Sequence, residues 1–147
     1  MKQSKNITNI LQIIDATRFG GAQKIALSIS RNASIEDYNF IFLLINRSDK
    51  EHQLRSTFEK SGYSFVEVNL YSVRNLPSYR LSRFLQSFLV GFLFLKAILK
   101  FKVKIVHIHI YQSFFLLPIF QVLKLFRRSW LWTLHGNVAY TPEFRQK

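Results

Sequence analysis

Five short apolar runs, separated by stretches with helical periodicity, set the plan of this chain. Ile10, Leu11, Ile13 and Ile14 form a near-continuous run broken only by Gln12, the pattern of a strand covered on both faces. Tyr38 to Ile45, Ser64 to Val68, Ile105 to Ile110 and Trp130 to His135 read as four more strands. After the first run, Ala22, Ile25, Ala26 and Ile29 recur at helical spacing. Leu54 and Phe58 do so within a charged segment from Glu51 to Ser61, and Gly62 supplies the stop expected beyond a helix end. A loop through Arg74, Asn75 and Pro77 leads into a long helix from Ser78 to about Phe101. A second apolar helix runs from Phe114 to Phe126, bent or started near Pro118. Strands alternating with helices predict an α/β fold built on a parallel sheet. Ligands of such sheets sit beyond the carboxyl ends of the strands. Chemistry is therefore expected at Asp15 to Gly21, His109 to Ser113 and His135 to Asn137.

Gly20 and Gly21 stand between the first strand and its helix. A glycine pair there leaves backbone N–H groups uncovered at the positive end of a helix and permits close approach of a ligand, which suits an anion. A tight turn that binds nothing has the same residues.

Composition narrows the class. The 147 residues make one domain, 1–147, and an apolar fraction of 48% with 15 Phe provides ample material for a core. The absence of cysteine removes disulfides and thiolate metal sites and fits a reducing compartment. The polar start MKQSKNITN has no secretory apolar region, so a cytoplasmic location is expected. Net charge is +13, with no acid between Glu67 and Glu143. Arg74, Arg80, Arg83, Lys96, Lys100, Lys102, Lys104, Lys124, Arg127 and Arg128 all fall in that span. Such a field attracts nucleic acid, anionic membranes or phosphorylated substrates. Interleaving of the cations with aliphatic and aromatic residues favours the membrane over nucleic acid.

The long helix sharpens that choice. Phe84 to Leu95 carries no charge, and Lys96 interrupts the run before Ala97, Ile98 and Leu99. A bilayer span needs about 20 apolar residues, so the segment is short for one. Two other placements stay open: burial between the sheet and another helix, or immersion in the lipid interface with Arg83, Lys96 and Lys100 at the headgroups.

His107 and His109 project to one face of the fourth strand, and His135 ends the fifth. A three-histidine metal site is disfavoured, since no carboxylate is near in sequence. His109 and His135 end their strands at the ligand crevice, where an imidazole donates to a hydroxyl or phosphate oxygen, or else bonds to backbone.

Taken together, IIDATRFGGAQKIALSIS, KIVHIHIYQSFFLLPIF and WTLHGN resemble the amino-terminal domain of a family 4 glycosyltransferase, a retaining class with two facing Rossmann-like domains of GT-B type. The resemblance spans nearly the whole chain in order. It implies an α/β fold with a parallel Rossmann-like sheet and helices on both faces, the amino-terminal half of a GT-B fold. It further implies that Gly20 and Gly21 lie near the donor diphosphate and the acceptor, that His135, followed by Gly136, contacts the transferred sugar, and that His109 is the second histidine of the strand-four motif. Lys104 departs from the family by standing where an acid often precedes that strand. The carboxyl-terminal domain, which carries most donor contacts in the family, is not in this sequence.

The expected function is accordingly the acceptor-side part of an enzyme that moves a hexose from a nucleotide sugar to a membrane-associated glycan or lipid-linked acceptor, in surface polysaccharide or lipopolysaccharide synthesis. Little turnover is expected alone, because the charge developing on the leaving diphosphate needs positive groups from both walls of a closed cleft. Neither a metal nor another cofactor is expected. The expected partners are the nucleotide sugar, the acceptor, the inner face of an anionic cell membrane, and a separate chain supplying the carboxyl-terminal domain, but no nucleic acid. The alternative is a non-catalytic scaffold of the same fold that binds a membrane surface or a partner.

Overall fold

A computed structural model describes residues 7–16, 20–33, 37–46, 53–74, 76, 78–110 and 113–133. The elements are β1 (Thr8–Asp15), α1 (Gly21–Asn32), β2 (Tyr38–Asn46), α2 (Gln53–Lys60), β3 (Ser64–Asn69), α3 (Tyr71–Arg74), α4 (Tyr79–Lys100), β4 (Ile105–Ile108), α5 (Ser113–Phe126) and β5 (Ser129–Trp132). The strands form one sheet in the order β3-β2-β1-β4-β5, every neighbouring pair parallel. This is the α/β Rossmann-like fold that the alternating runs predict.

The apolar runs are continuous because helices cover both faces. Leu11, Ile13, Ile41, Leu43, Val106 and Ile108 pack on one side with Val90, Phe94 and Ala97 of α4 and Leu116, Ile119 and Leu123 of α5. Ile14, Phe40, Phe42 and Leu44 pack on the other with Ala26 and Leu27 of α1 and Phe58 of α2. The Phe42 and Phe58 rings lie 4.4 Å apart at 50°, a contact worth about 1 kcal/mol beyond the area it buries.

Helix ends follow local chemistry. Gly62 closes α2 at φ +72°, where a side chain would be strained. The side-chain oxygen of Ser78 caps α4 by accepting from the Leu81 N–H at 3.4 Å. The segment from Tyr71 to Arg74, expected to be loop, forms the one-turn helix α3. Pro118 lies inside α5, and Gly91 of α4 meets it, so closely that a Cβ at position 91 would sit 3.0 Å from the Pro118 Cβ. Glycine is needed at this crossing for space rather than for backbone freedom.

Candidate functional site

The chain moves outward from β1 through β2 to β3, then returns to the opposite side of β1 to form β4. The order reverses between β1 and β4, and α/β sheets bind ligands beyond the carboxyl ends of the strands at such a switch point. The ladder continues one residue past the strands: the His109 N–H donates to the Ile13 carbonyl at 2.8 Å, and the Thr133 N–H to the Ile108 carbonyl at 2.9 Å.

Gly20 is the N-cap of α1, in extended backbone at φ −146°. Its N–H donates to Oε1 of Gln23 at 2.9 Å, while Gln23 Nε2 donates to the Asp15 carbonyl. One buried amide thus ties the end of β1 to the start of α1. The N–H of Gly20 is therefore engaged within the chain, contrary to the uncovered pair expected from sequence. The amides of Gly21, Ala22 and Gln23 are those that helix geometry leaves without intrahelical partners. Neither glycine has positive φ, and among the described residues a Cβ at Gly21 would meet nothing within 4 Å. At Gly20 it would make ordinary contact, 3.4 Å from Gln23 Oε1. Among the described residues, neither backbone strain nor packing requires the pair. Open space remains, among the described residues, where a Gly21 side chain would stand at the start of α1.

Beneath this turn runs a buried polar layer. Gln12, fully buried on β1, donates from Nε2 to Ser30 Oγ at 2.8 Å and to the Ala26 carbonyl at 3.3 Å, both on α1. A carbonyl only accepts, so the amide orientation is settled and Oε1 faces the other way. There it meets His109 Nε2 at 3.0 Å, which requires that nitrogen to carry the proton. The ring of His107 lies 3.8 Å from that of His109, and its Nε2 is 2.7 Å from Thr133 Oγ1. The layer thus links α1, β1, β4 and the residue after β5.

Of the residues singled out from sequence, the fold gathers Gly20, Gly21 and His109 at the β1 and β4 ends. His109 is 4% exposed, with its Nε2 committed to Gln12. His107 is buried on the same face. His135 and Gly136 lie outside the described residues. Among the described residues, no three His, Cys, Asp or Glu side chains are grouped to hold a metal ion. Among the described residues, the site presents the backbone amides at the start of α1 above a layer of hydrogen-bonded Gln, Ser, Thr and His side chains. Sequence reading missed Gln12, Gln23, Ser30 and Thr133 as parts of the site. The lone polar residue in the first apolar run was the visible signal for Gln12.

The outer surface of α4 is a second feature. Its 22 residues are long and apolar enough to cross a bilayer, yet Ser82, Gln86, Val90, Gly91, Phe94, Ala97 and Ile98 are packed inward. At about 100° per residue, the exposed Leu81, Phe84, Phe88, Phe92 and Leu99 fall within about 80° of arc along about 27 Å. Arg80 and Lys96, both exposed, lie about 80° to either side of its centre line. Burial between sheet and helix accounts for one face only.

No protein-family model matches the sequence, and no curated protein matches it. Solved structures match the fold. A glycosyltransferase from Rickettsia africae ESF-5 is 16% identical over 96% of this chain and 34% of its own, with a TM-score of 0.62. The C-terminal domain of the PF1911 hydrogenase from Pyrococcus furiosus is 13% identical over 86% of this chain and 91% of its own, with a TM-score of 0.67. UDP-GlcNAc 2-epimerase from Methanocaldococcus jannaschii is 16% identical over 91% of this chain and 34% of its own, with a TM-score of 0.54. The chain thus spans about a third of the length of the glycosyltransferase and the epimerase, and shares with these structures an α/β Rossmann-like fold.

Proposed function

We propose that this chain is the amino-terminal, acceptor-side part of a retaining family 4 glycosyltransferase. It acts on a hexose carried by a nucleotide sugar and on a membrane-associated glycan or lipid-linked acceptor, in surface polysaccharide synthesis. The observation that carries the reading is the glycine pair at the topological switch point, which neither φ nor packing among the described residues requires. Space held open before a helix N-terminus suits a phosphate or diphosphate. Gln23 and the Gln12–His109 layer keep that rim rigid, so little ordering is needed when a ligand arrives. In this reading His135 and Gly136, following β5, meet the transferred sugar. No metal or other cofactor takes part.

Membrane association on the cytoplasmic face is supported by the aromatic stripe of α4 between its basic borders, the pattern of an interfacial helix. One wall of a cleft stabilises the leaving diphosphate only in part, so the chain alone turns over little or nothing. Transfer of radiolabelled sugar should be absent with the chain alone and appear when a donor-binding carboxyl-terminal domain is added as a separate chain. Turnover by the chain alone would overturn the account of the second wall. A non-catalytic scaffold is the second reading: the hydrogenase domain carries this fold over nearly its own full length, so the fold by itself does not entail sugar transfer. Absence of ligand binding at Gly21 would select it.

A further inference from the structure

At the opposite end of the sheet from the crevice, α4 and α5 terminate where β4 and β5 begin. Both helices close with the same device. The Lys102 N–H donates to the Leu99 carbonyl at 3.4 Å and the Val103 N–H to the Ile98 carbonyl at 3.1 Å. Likewise the Arg127 N–H donates to the Lys124 carbonyl at 3.3 Å and the Arg128 N–H to the Leu123 carbonyl at 3.2 Å. In each case the residue in left-handed backbone is a cation where glycine is usual: Lys102 and Arg127, both at φ 49°. A side chain there costs about 1 kcal/mol relative to glycine, whereas α2 uses Gly62. Favourable interaction with the helix dipole offsets part of that cost, but an exposed cation elsewhere in the last turn would supply it as well.

Beside the end of α5 is a cavity of about 490 Å³ lined by Phe120, Leu123, Lys124, Arg127, Arg128 and Trp130. The Phe120 and Trp130 rings lie 5.0 Å apart and form its apolar side. The Nε of Arg128 is buried and has no hydrogen-bond partner among the described residues. Arg128 itself is half-buried, and a buried guanidinium N–H of this kind is satisfied by an oxyanion. The sequence has no carboxylate between Glu67 and Glu143, so neither α5 nor β5 supplies one. Leu125, in the last turn of α5, is 76% exposed, and Trp130 of the cavity is 52% exposed.

We infer that this corner binds the phosphate headgroup of an anionic phospholipid, with Arg128, Arg127 and Lys124 on the phosphate and Trp130 and Leu125 against the glycerol and acyl region. The cations supply the charge complement, and the exposed apolar side chains favour a lipid over a soluble phosphate. The site lies across the sheet from the glycine turn and stands or falls separately from the sugar-transfer reading.

Co-sedimentation of the full chain with vesicles tests it, using phosphatidylcholine alone or mixed with phosphatidylglycerol. Arg128→Gln should weaken binding to the mixed vesicles about thirtyfold, as loss of a charge-assisted hydrogen bond to a phosphate does. Lys60→Gln, an exposed charge on the far face, should weaken it about fivefold or less. Glycerol 1-phosphate should compete with the mixed vesicles. Lys124→Gln removes an exposed side chain, so it gives the same reading if Arg128→Gln fails to fold. Equal effects of Lys124→Gln and Lys60→Gln would overturn the pocket, as would displacement by duplex DNA with none by glycerol 1-phosphate. Gly21→Ala should leave vesicle binding unchanged, which separates this outcome from failure of the sugar-transfer reading.

Discussion

The side-chain oxygen of Gln12 accepts from Nε2 of His109 at 3.0 Å, joining residues 97 positions apart across neighbouring strands at the crevice. Replacing Gln12 by Leu leaves a buried imidazole N–H without its acceptor. Unfolding in urea should show a loss of about 2 kcal/mol. The Gln12→Leu, His109→Leu double variant should lose less than the two single losses together, because removing both partners leaves no orphaned donor.

Gly91 and Pro118 form the crossing of α4 and α5. Alanine is favoured over glycine inside a helix by about 1 kcal/mol, but the Pro118 Cβ, 3.0 Å from the new Cβ, is held by its backbone and cannot rotate away. Gly91→Ala should therefore destabilise by about 1 kcal/mol. In a Pro118→Gly background, which removes the opposing Cβ, adding Gly91→Ala should be neutral or stabilising relative to Pro118→Gly alone, and thermal midpoints read both.

Arg127→Gly relieves left-handed strain at φ 49°. Stability should rise by up to about 1 kcal/mol, while binding to vesicles containing phosphatidylglycerol falls. A variant that is more stable and binds less would show that the arginine is kept at the expense of the backbone.

Phe88 is 64% exposed in the middle of the α4 stripe. Phe88→Ser should leave the unfolding midpoint within about 0.5 kcal/mol of the parent. It should also lower partitioning onto both vesicle compositions by about tenfold. Pocket variants lower only the anionic preference. The two surfaces are thus separable by lipid composition.

Much of the fold was legible because strands buried on both faces write themselves as apolar runs, and five such runs alternate with helical spacing. The one-turn α3 left no period to detect. The outward stripe of α4 was hidden for another reason: its middle is apolar on every side, so only the positions of the sheet and α5 reveal which side faces out. The ends of α4 and α5 lack the glycine that marked α2, since Lys102 and Arg127 occupy that backbone position. At the site, the two glycines and His109 were visible as residue types, and the break at Gln12 was visible as an exception. That Gln12 bridges α1 and His109 depends on a strand order no local window contains.

The central claim is that open space before Gly21 admits an anionic ligand. Nitrogen-15 NMR of the chain titrated with nucleoside diphosphate sugars and with phosphorylated lipid-linked acceptors tests it at that atom. Saturable shifts of the Gly21 and Ala22 amides are expected, and Gly21→Ala should abolish them with its unfolding midpoint unchanged or slightly raised. Unmoved amides, or equal binding by Gly21→Ala, would contradict the account.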